Sequence, residues 1–257
     1  MSGEAGGEMP THAVDYAGLS DTGRQRTSNQ DRWGISAEQG LFIVADGVAS
    51  SSHGERAAQM VVDLLPQYLQ RHLDSVGLDD PTAAERLGAA IAEISNNVRN
   101  SGDNDPGMAG ASTTVVAVVV SGLRALVGHL GDSRGYLYRN QQLHRLTRDH
   151  SLVQALVDAG EVEPQNASAH PSRSVITRHV GMNPPAHPDV SAVDLQPGDR
   201  VMLCSDGLHG VVDDNALAQI LGSQPTPRDA CAALIEAANN GGGPDNITTI
   251  VIDVVGQ

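Results

Sequence analysis

Lysine is absent from this sequence of 257 residues: the 16 basic residues are all arginine, set against 22 aspartates and 9 glutamates, for a formal net charge of -15. Without lysine there is no Schiff-base chemistry, no Walker-type phosphate loop and no lysine-dependent kinase site. The acidity argues against nucleic acid or an anionic membrane surface as partner, because both demand positive charge. Aromatic residues are scarce: one Trp, one Phe and four Tyr. Burial therefore falls to Val, Leu, Ile and Ala, within a hydrophobic content of 40% that is enough for a sizeable core. Abundant alanine with arginine in place of lysine reads as genome composition rather than function. There are only two cysteines. Cys204 lies inside an apolar run and is expected to be a buried small hydrophobe in a reduced, cytoplasmic chain. No apolar run reaches the roughly 18 residues of a membrane span. The Gly/Glu-rich residues 1–10 read as a flexible N-terminus rather than a signal peptide.

What is present comes in blocks. Residues 41–45 form an apolar run that reads as a buried strand and ends in Asp46-Gly47. Helical periodicity marks residues 54–73, where Pro66 should kink the helix or end it early. A second helix is expected over 82–99, followed by a polar loop over 100–110. Residues 112–120 (STTVVAVVV) are strongly strand-like and pair as a hairpin with 123–129. A further strand, 135–139, turns at Asn140-Gln141-Gln142 into 143–146, which reads as a continuing meander and so as an antiparallel sheet. Residues 150–160 suggest a short helix and 161–180 a polar insertion. Residues 200–205 repeat the buried strand ending in Asp-Gly. Helices are expected over 213–221 and 227–239, and a final alternating strand over 247–255. With no internal repeat and no linker, residues 11–257 read as one α+β domain in which sheets are covered by helix pairs.

Asp46, Asp132 and Asp206 each follow a strand-like run and touch a glycine, and Asp245 lies in Gly243-Pro244-Asp245-Asn246 before the last strand. Carboxylates gathered on one sheet edge repel each other unless cations lie between them. Carboxylate and carbonyl oxygens suit Mg²⁺ or Mn²⁺, whereas zinc favours His or Cys ligands, for which no suitable spacing exists. One Asp-Gly is ordinary turn chemistry, and four such aspartates in ordered contexts leave both readings standing. Asp103 to Gly107 is a poor calcium loop because its chelating glutamate is missing.

Seven short motifs occur in a characteristic order: Arg26-Thr27-Ser28-Asn29-Gln30-Asp31, Ala45-Asp46-Gly47-Val48 with Gly54-Glu55, Ser112-Thr113-Thr114, Gly131-Asp132-Ser133-Arg134, Leu146-Thr147-Arg148-Asp149-His150-Ser151, Ser205-Asp206-Gly207-Leu208, and Gly243-Pro244-Asp245-Asn246-Ile247-Thr248. Together they resemble the bacterial metal-dependent protein phosphatases, the PPM family or protein phosphatase type 2C, over nearly the whole chain. The resemblance implies a four-layer α-β-β-α sandwich of two mostly antiparallel sheets flanked by helix pairs, with a metal centre at one end of the sheets.

Carried over by position, Asp46 bridges two Mn²⁺ or Mg²⁺ ions and the Gly47 carbonyl helps hold the second. Asp206 and Asp245 complete the first site. Asp132 joins Asp206 around a third, weaker ion, and Arg26 clamps the substrate phosphate. The implied reaction is hydrolysis of phosphoserine and phosphothreonine in proteins by a water bridging two ions, with no covalent intermediate. It would reverse bacterial Ser/Thr kinase signalling, with phosphorylated proteins, including the kinases or their substrates, as partners of a monomeric enzyme. Ser133, Ser205 and Cys204 read as structural rather than nucleophilic.

Three outer residues belong to the same motifs: Gln30, Asp31 and Asn246. The family usually carries Glu where Gln30 stands, so the second ion should bind more weakly. Val48 to Ser51 replaces the usual Met-Gly-Gly-His, which removes one candidate general acid and leaves a metal-bound water or His53 to protonate the leaving group. Residues 151–180 correspond to the variable flap beside the metal channel, and His150 is expected to fix its start. These departures support one alternative, a weakly active pseudophosphatase that binds phosphoproteins as an adaptor.

Overall fold

The computed structural model describes residues 14–48, 51, 53–73, 77–185 and 187–255. Its elements run β1 (Val14–Asp21), β2 (Arg32–Ser36), β3 (Leu41–Ala45), α1 (Gly54–Leu73), α2 (Ala83–Asn104), β4 (Val115–Ser121), β5 (Arg124–Leu130), β6 (Arg134–Arg139), β7 (Gln142–Arg145), α3 (Leu152–Asp158), β8 (Asp189–Asp194), β9 (Arg200–Cys204), α4 (Asp206–His209), α5 (Asp214–Ser223), α6 (Pro227–Asn240) and β10 (Ile247–Val254). The strands form two five-stranded sheets, ordered β1-β10-β9-β6-β7 and β2-β3-β4-β5-β8. Every pairing between them is antiparallel.

The apolar runs without alternation are explained by burial on both faces. In β3, Leu41, Ile43 and Ala45 pack under α1 and α2, while Phe42 and Val44 point between the sheets. In β9, Val201 and Leu203 face that same central layer, and Met202 and Cys204 face α5 and α6. Three apolar layers thus separate four structural ones, which is the expected α-β-β-α sandwich. The single phenylalanine, Phe42, is fully buried between the sheets with Tyr16 edge-on at 5.3 Å. No described helix is long and apolar enough to cross a membrane.

Several expectations change. Helix α1 does not end at Pro66 but continues to Leu73, and the Pro66 carbonyl accepts a hydrogen bond from Gln39 Nε2 at 3.0 Å. The amphipathic face on both sides of the proline stays buried, and that packing outweighs one missing backbone bond. Helix α2 continues to Asn104, beyond its expected end, and a 3-10 turn at Pro106–Met108 occupies the presumed loop. Strand β10 is buried on both faces rather than alternating. The supposed meander is two hairpins in different sheets: β4-β5 belongs to one and β6-β7 to the other, so the chain crosses between sheets at Gly131, Asp132 and Ser133. Strands β1, β2 and β8 were not expected. The expected flexible N-terminus, residues 1–10, lies outside the described residues.

The flap region holds α3, capped by Ser151 Oγ accepting from Gln154 N, and a 3-10 turn at Pro164–Ala169. Its end is tied to the sheets by Thr113, which forms isolated bridges to both Val180 and Gly47.

Candidate metal centre

The antiparallel registers bring the ends of β3, β5 and β9 together with the starts of β4, β6 and β10. Leu130 pairs with Val115, and Cys204 pairs with both Thr249 and Arg134. Asp46 follows β3, Asp132 sits on the crossing, Asp206 opens α4 directly after β9, and Asp245 precedes β10. All four therefore lie at one end of the sandwich, Asp46 on one sheet, Asp206 and Asp245 on the other and Asp132 on the crossing between them.

Their electrostatics follow from that gathering. Burial, reinforced by the charges of Asp31, Asp206, Asp132 and Asp245, pushes the Asp46 carboxyl well above the ordinary carboxylate range. Burial and then Asp245 and Asp31 bring Asp206 up to about 6. Burial, Asp206 and Asp149 bring Asp132 up to about 8. Asp31 is raised by burial, although Ser205 Oγ donates to its Oδ2 at 2.7 Å. Its other oxygen, Oδ1, is buried without a hydrogen-bond partner. An ionised carboxylate only accepts hydrogen bonds, so this cluster is short of positive charge.

Arg26 meets the cluster directly: its Nη2 donates to Asp245 Oδ2 at 2.6 Å, with both side chains about one-third exposed (37% and 33%). Asn246 holds the arginine's loop in place. Its Oδ1 accepts from Gln30 N, and its Nδ2 donates to the Thr22 and Ser28 carbonyls. Gln30 Nε2 reaches Glu55 Oε2 at 3.3 Å, so a carboxylate does stand beside position 30, on α1 rather than in the motif itself. Gly47 is packed so closely that an added Cβ would lie 2.5 Å from the Gly54 carbonyl carbon and 2.8 Å from the Gln30 oxygen. The backbone can approach there only as glycine. Of the Val48 to Ser51 loop, Ala49 and Ser50 lie outside the described residues. Val48 N donates to Ser112 O, and Ser51 Oγ to Val48 O.

The residues read as structural are held as such. Ser133 Oγ is buried against Thr114 Oγ1 at 2.7 Å, and burial pushes the Cys204 thiol up to about 12. Behind Asp132, Arg134 grips Asp149 through Nε and Nη2, an ion pair within the quoted motifs whose partners their spacing did not reveal. His209 Nε2 donates to the Asp132 carbonyl at 3.0 Å.

The histidines hold one surprise. Among the described residues, His129, His150 and Asp189 bring ligand atoms within 4.8 Å of one another, although their sequence spacing suggested no such grouping. The two rings stack with centroids 4.5 Å apart. Their nitrogens are largely engaged: His150 Nδ1 accepts from Gly131 N, His150 Nε2 donates to Asp189 Oδ2, and His129 Nε2 donates to the Arg148 carbonyl. Burial lowers His150 to about 4, which keeps it neutral as that bonding requires. The group ties the start of the flap to β5 and β8.

Comparison with known proteins agrees with this geometry. A family model described as protein phosphatase 2C matches residues 21–235. The chain is 36% identical over 247 residues to the serine/threonine protein phosphatase PstP of Mycobacterium tuberculosis, covering 95% of this chain but 46% of that protein, about half its length. It is 33% identical over 240 residues to protein phosphatase PhpP of Streptococcus pneumoniae, covering 92% and 96% respectively. A crystal structure of the PstP catalytic domain in complex with 2 manganese ions matches with a TM-score of 0.80 at 33% identity, covering 95% of this chain and 99% of that one.

Proposed function

The chain belongs to the protein phosphatase 2C family, and from that membership we propose that it hydrolyses phosphoserine and phosphothreonine in proteins, using two Mn²⁺ or Mg²⁺ ions and a third at a weaker site. The observation that carries this reading is the gathering of Asp46, Asp132, Asp206 and Asp245 at one end of the sheets, each within electrostatic reach of another. The donor set fits such ions: hard oxygens only, an excess of negative charge, and a buried Asp31 oxygen left without a partner. Asp46 would bridge the two core positions, the Gly47 carbonyl would serve the second, and Asp206 and Asp245 would complete the first. Asp132 would share the third with Asp206. When bound, the ions supply positive charge against phosphoryl oxygens and a lowered pKa for water in the site.

The chain's own groups do the rest. The Arg26 fork spends one N–H on Asp245 and keeps others for two phosphate oxygens, a geometry that fixes the phosphoryl group for in-line attack. Ser133 and Ser205 are engaged in hydrogen bonds and Cys204 is buried, which supports a route in which none of the three forms a covalent phosphoenzyme. Proton delivery to the leaving seryl or threonyl oxygen falls to water or to His53, whose Nδ1 lies 3.4 Å from Glu55 Oε1. Retention of all four aspartates weighs against the adaptor reading. In the cell the substrates would be phosphorylated proteins, among them Ser/Thr kinases or their targets, met in the cytoplasm by a monomer.

Turnover of p-nitrophenyl phosphate with Mn²⁺ tests the reading. Activity that Asp46→Asn abolishes is expected, and no turnover by the unmodified protein at any Mn²⁺ concentration overturns it.

A further inference from the structure

Beside the metal centre lies a second concavity of about 390 Å³, formed by the C-terminal half of α2, the loop before β4 and the end of the flap. Arg99, Ser112, His179 and Met182 are among its lining residues. None of the lining residues is an aspartate or a glutamate, in a chain that has 31 of them.

Its arginine is unusual here. Ten of the 16 arginines form ion pairs among the described residues, and Arg99 is not one of them. Its Nε donates to Asn100 Oδ1 at 3.3 Å, while its two terminal nitrogens have no partner among the described residues. His179 Nδ1 bonds the Val180 carbonyl at 3.1 Å, which leaves Nε2 similarly free. A larger cavity, about 520 Å³ between α1 and α2, shows the contrast: its Arg56 is already held by Asp105.

Connectivity places the pocket close to the reacting centre. Ser112 in its wall accepts from Val48 N at 3.0 Å, two residues after Asp46. The adjacent Thr113 donates its hydroxyl to the Asp46 carbonyl at 2.7 Å and pairs with both Gly47 and Val180. Through these bonds the pocket wall adjoins the loop that carries Asp46, a separation that two or three residues of extended peptide, at about 3.3 Å each, would span.

We propose that this pocket receives an anionic side chain of the substrate protein, a carboxylate or a second phosphate, two or three residues from the phosphoserine or phosphothreonine being hydrolysed. The Arg99 fork would supply paired N–H donors to two oxygens of one anion, and His179 lines the same pocket. Such a contact confers sequence preference on a site whose metal chemistry by itself recognises only the phosphoryl group. The inference rests on the phosphatase reading above.

The test compares phosphothreonine peptides that differ at one flanking position, carrying Glu, phosphoserine or Ala, in initial-rate assays with Mn²⁺. For the unmodified protein, kcat/KM should be about five- to twenty-fold higher for at least one acidic peptide than for the Ala peptide, chiefly through KM. The peptide favoured says whether carboxylate or phosphate is the occupant. In Arg99→Gln the acidic-to-Ala ratio should fall to about one, and Arg99→Lys should restore part of it. Because each ratio is taken within one variant, a general loss of activity or folding cancels. No acid preference in the unmodified protein, or a preference that survives in Arg99→Gln, overturns the proposal. Turnover of p-nitrophenyl phosphate, which has no flanking residues, separates the two readings: its absence defeats the phosphatase reading, whereas its presence without an acid preference defeats this one alone.

Discussion

Arg26 and Asp245 lie 219 positions apart, yet the Arg26 guanidinium donates to the Asp245 carboxylate at 2.6 Å. The contact places the guanidinium fork proposed to hold the phosphate on the same carboxylate that would hold a cation. A hydrogen bond to a charged group contributes about 1.5–3 kcal/mol. Arg26→Ala should therefore lower kcat/KM about 10- to 100-fold, and Arg26→Lys, which keeps the charge but loses the fork, should recover only part of it. Steady-state kinetics on a phosphopeptide checks both.

Asp46→Asn removes one charge from a cluster whose members raise each other's carboxyl groups. Without metal, this variant should melt a few degrees higher than the unmodified protein, since 1 kcal/mol corresponds to about 2–4 °C for a domain of this size. The increase in melting temperature on adding Mn²⁺ should disappear. A thermal scan with EDTA and then with Mn²⁺ reads both effects.

The same charges set a pH dependence. Asp206 is raised to about 6 and Asp132 to about 8, and a carboxyl raised on folding stabilises the fold only while it stays protonated. That stability is fully present below about pH 4, the unfolded value, and is lost as pH rises through 6 to 8. Between pH 5.5 and pH 8 the metal-free protein should accordingly lose more stability than its Asp132→Asn variant, in which the buried histidines are unchanged, and saturating Mn²⁺ should narrow that difference because it competes with protons for the same oxygens. Denaturation curves at the two pH values, with and without Mn²⁺, decide the matter.

Gln30→Glu places a carboxylate against Glu55, which Gln30 now contacts at 3.3 Å. Metal-free protein should melt lower, while Mn²⁺ binds several-fold more tightly because a negative charge returns to the outer surroundings of the ions. Calorimetric titration with Mn²⁺ measures the affinity. An unchanged value would show that Glu55 already supplies the charge.

The interior of the fold was legible and its edges were not. Strands β3, β4 and β9 are buried on both faces, so their sequences are nearly continuous apolar runs, whereas the equally buried β10 carries Thr248 and Thr249 and reads as alternating. The strands that escaped notice, β1, β2 and β8, each lie at the edge of a sheet, where half-exposed side chains dilute the apolar signal. Strand β7 is also an edge, yet the turn at Asn140 and Gln141, both at positive φ, announced it. The crossing at Gly131 to Ser133 resembles an ordinary short turn, because nothing local says which sheet the next strand will join. Helix α2 outran its expected end through turn-forming residues because Gly102 packs tightly on Ala109, a contact that a single-segment pattern does not contain. The aspartates were found through their order of motifs. The carboxylate facing Gln30 and the stacked His129 and His150 became visible only when distant strands were brought side by side.

The four aspartates straddle the seam between the sheets, with Asp46 following a strand of one sheet and Asp206 and Asp245 flanking strands of the other. Ions held between these carboxylates would act as rivets through two plates, tying sheet to sheet at the end where Arg26 meets Asp245. Loading with metal would then stiffen the same end of the fold that a substrate has to meet.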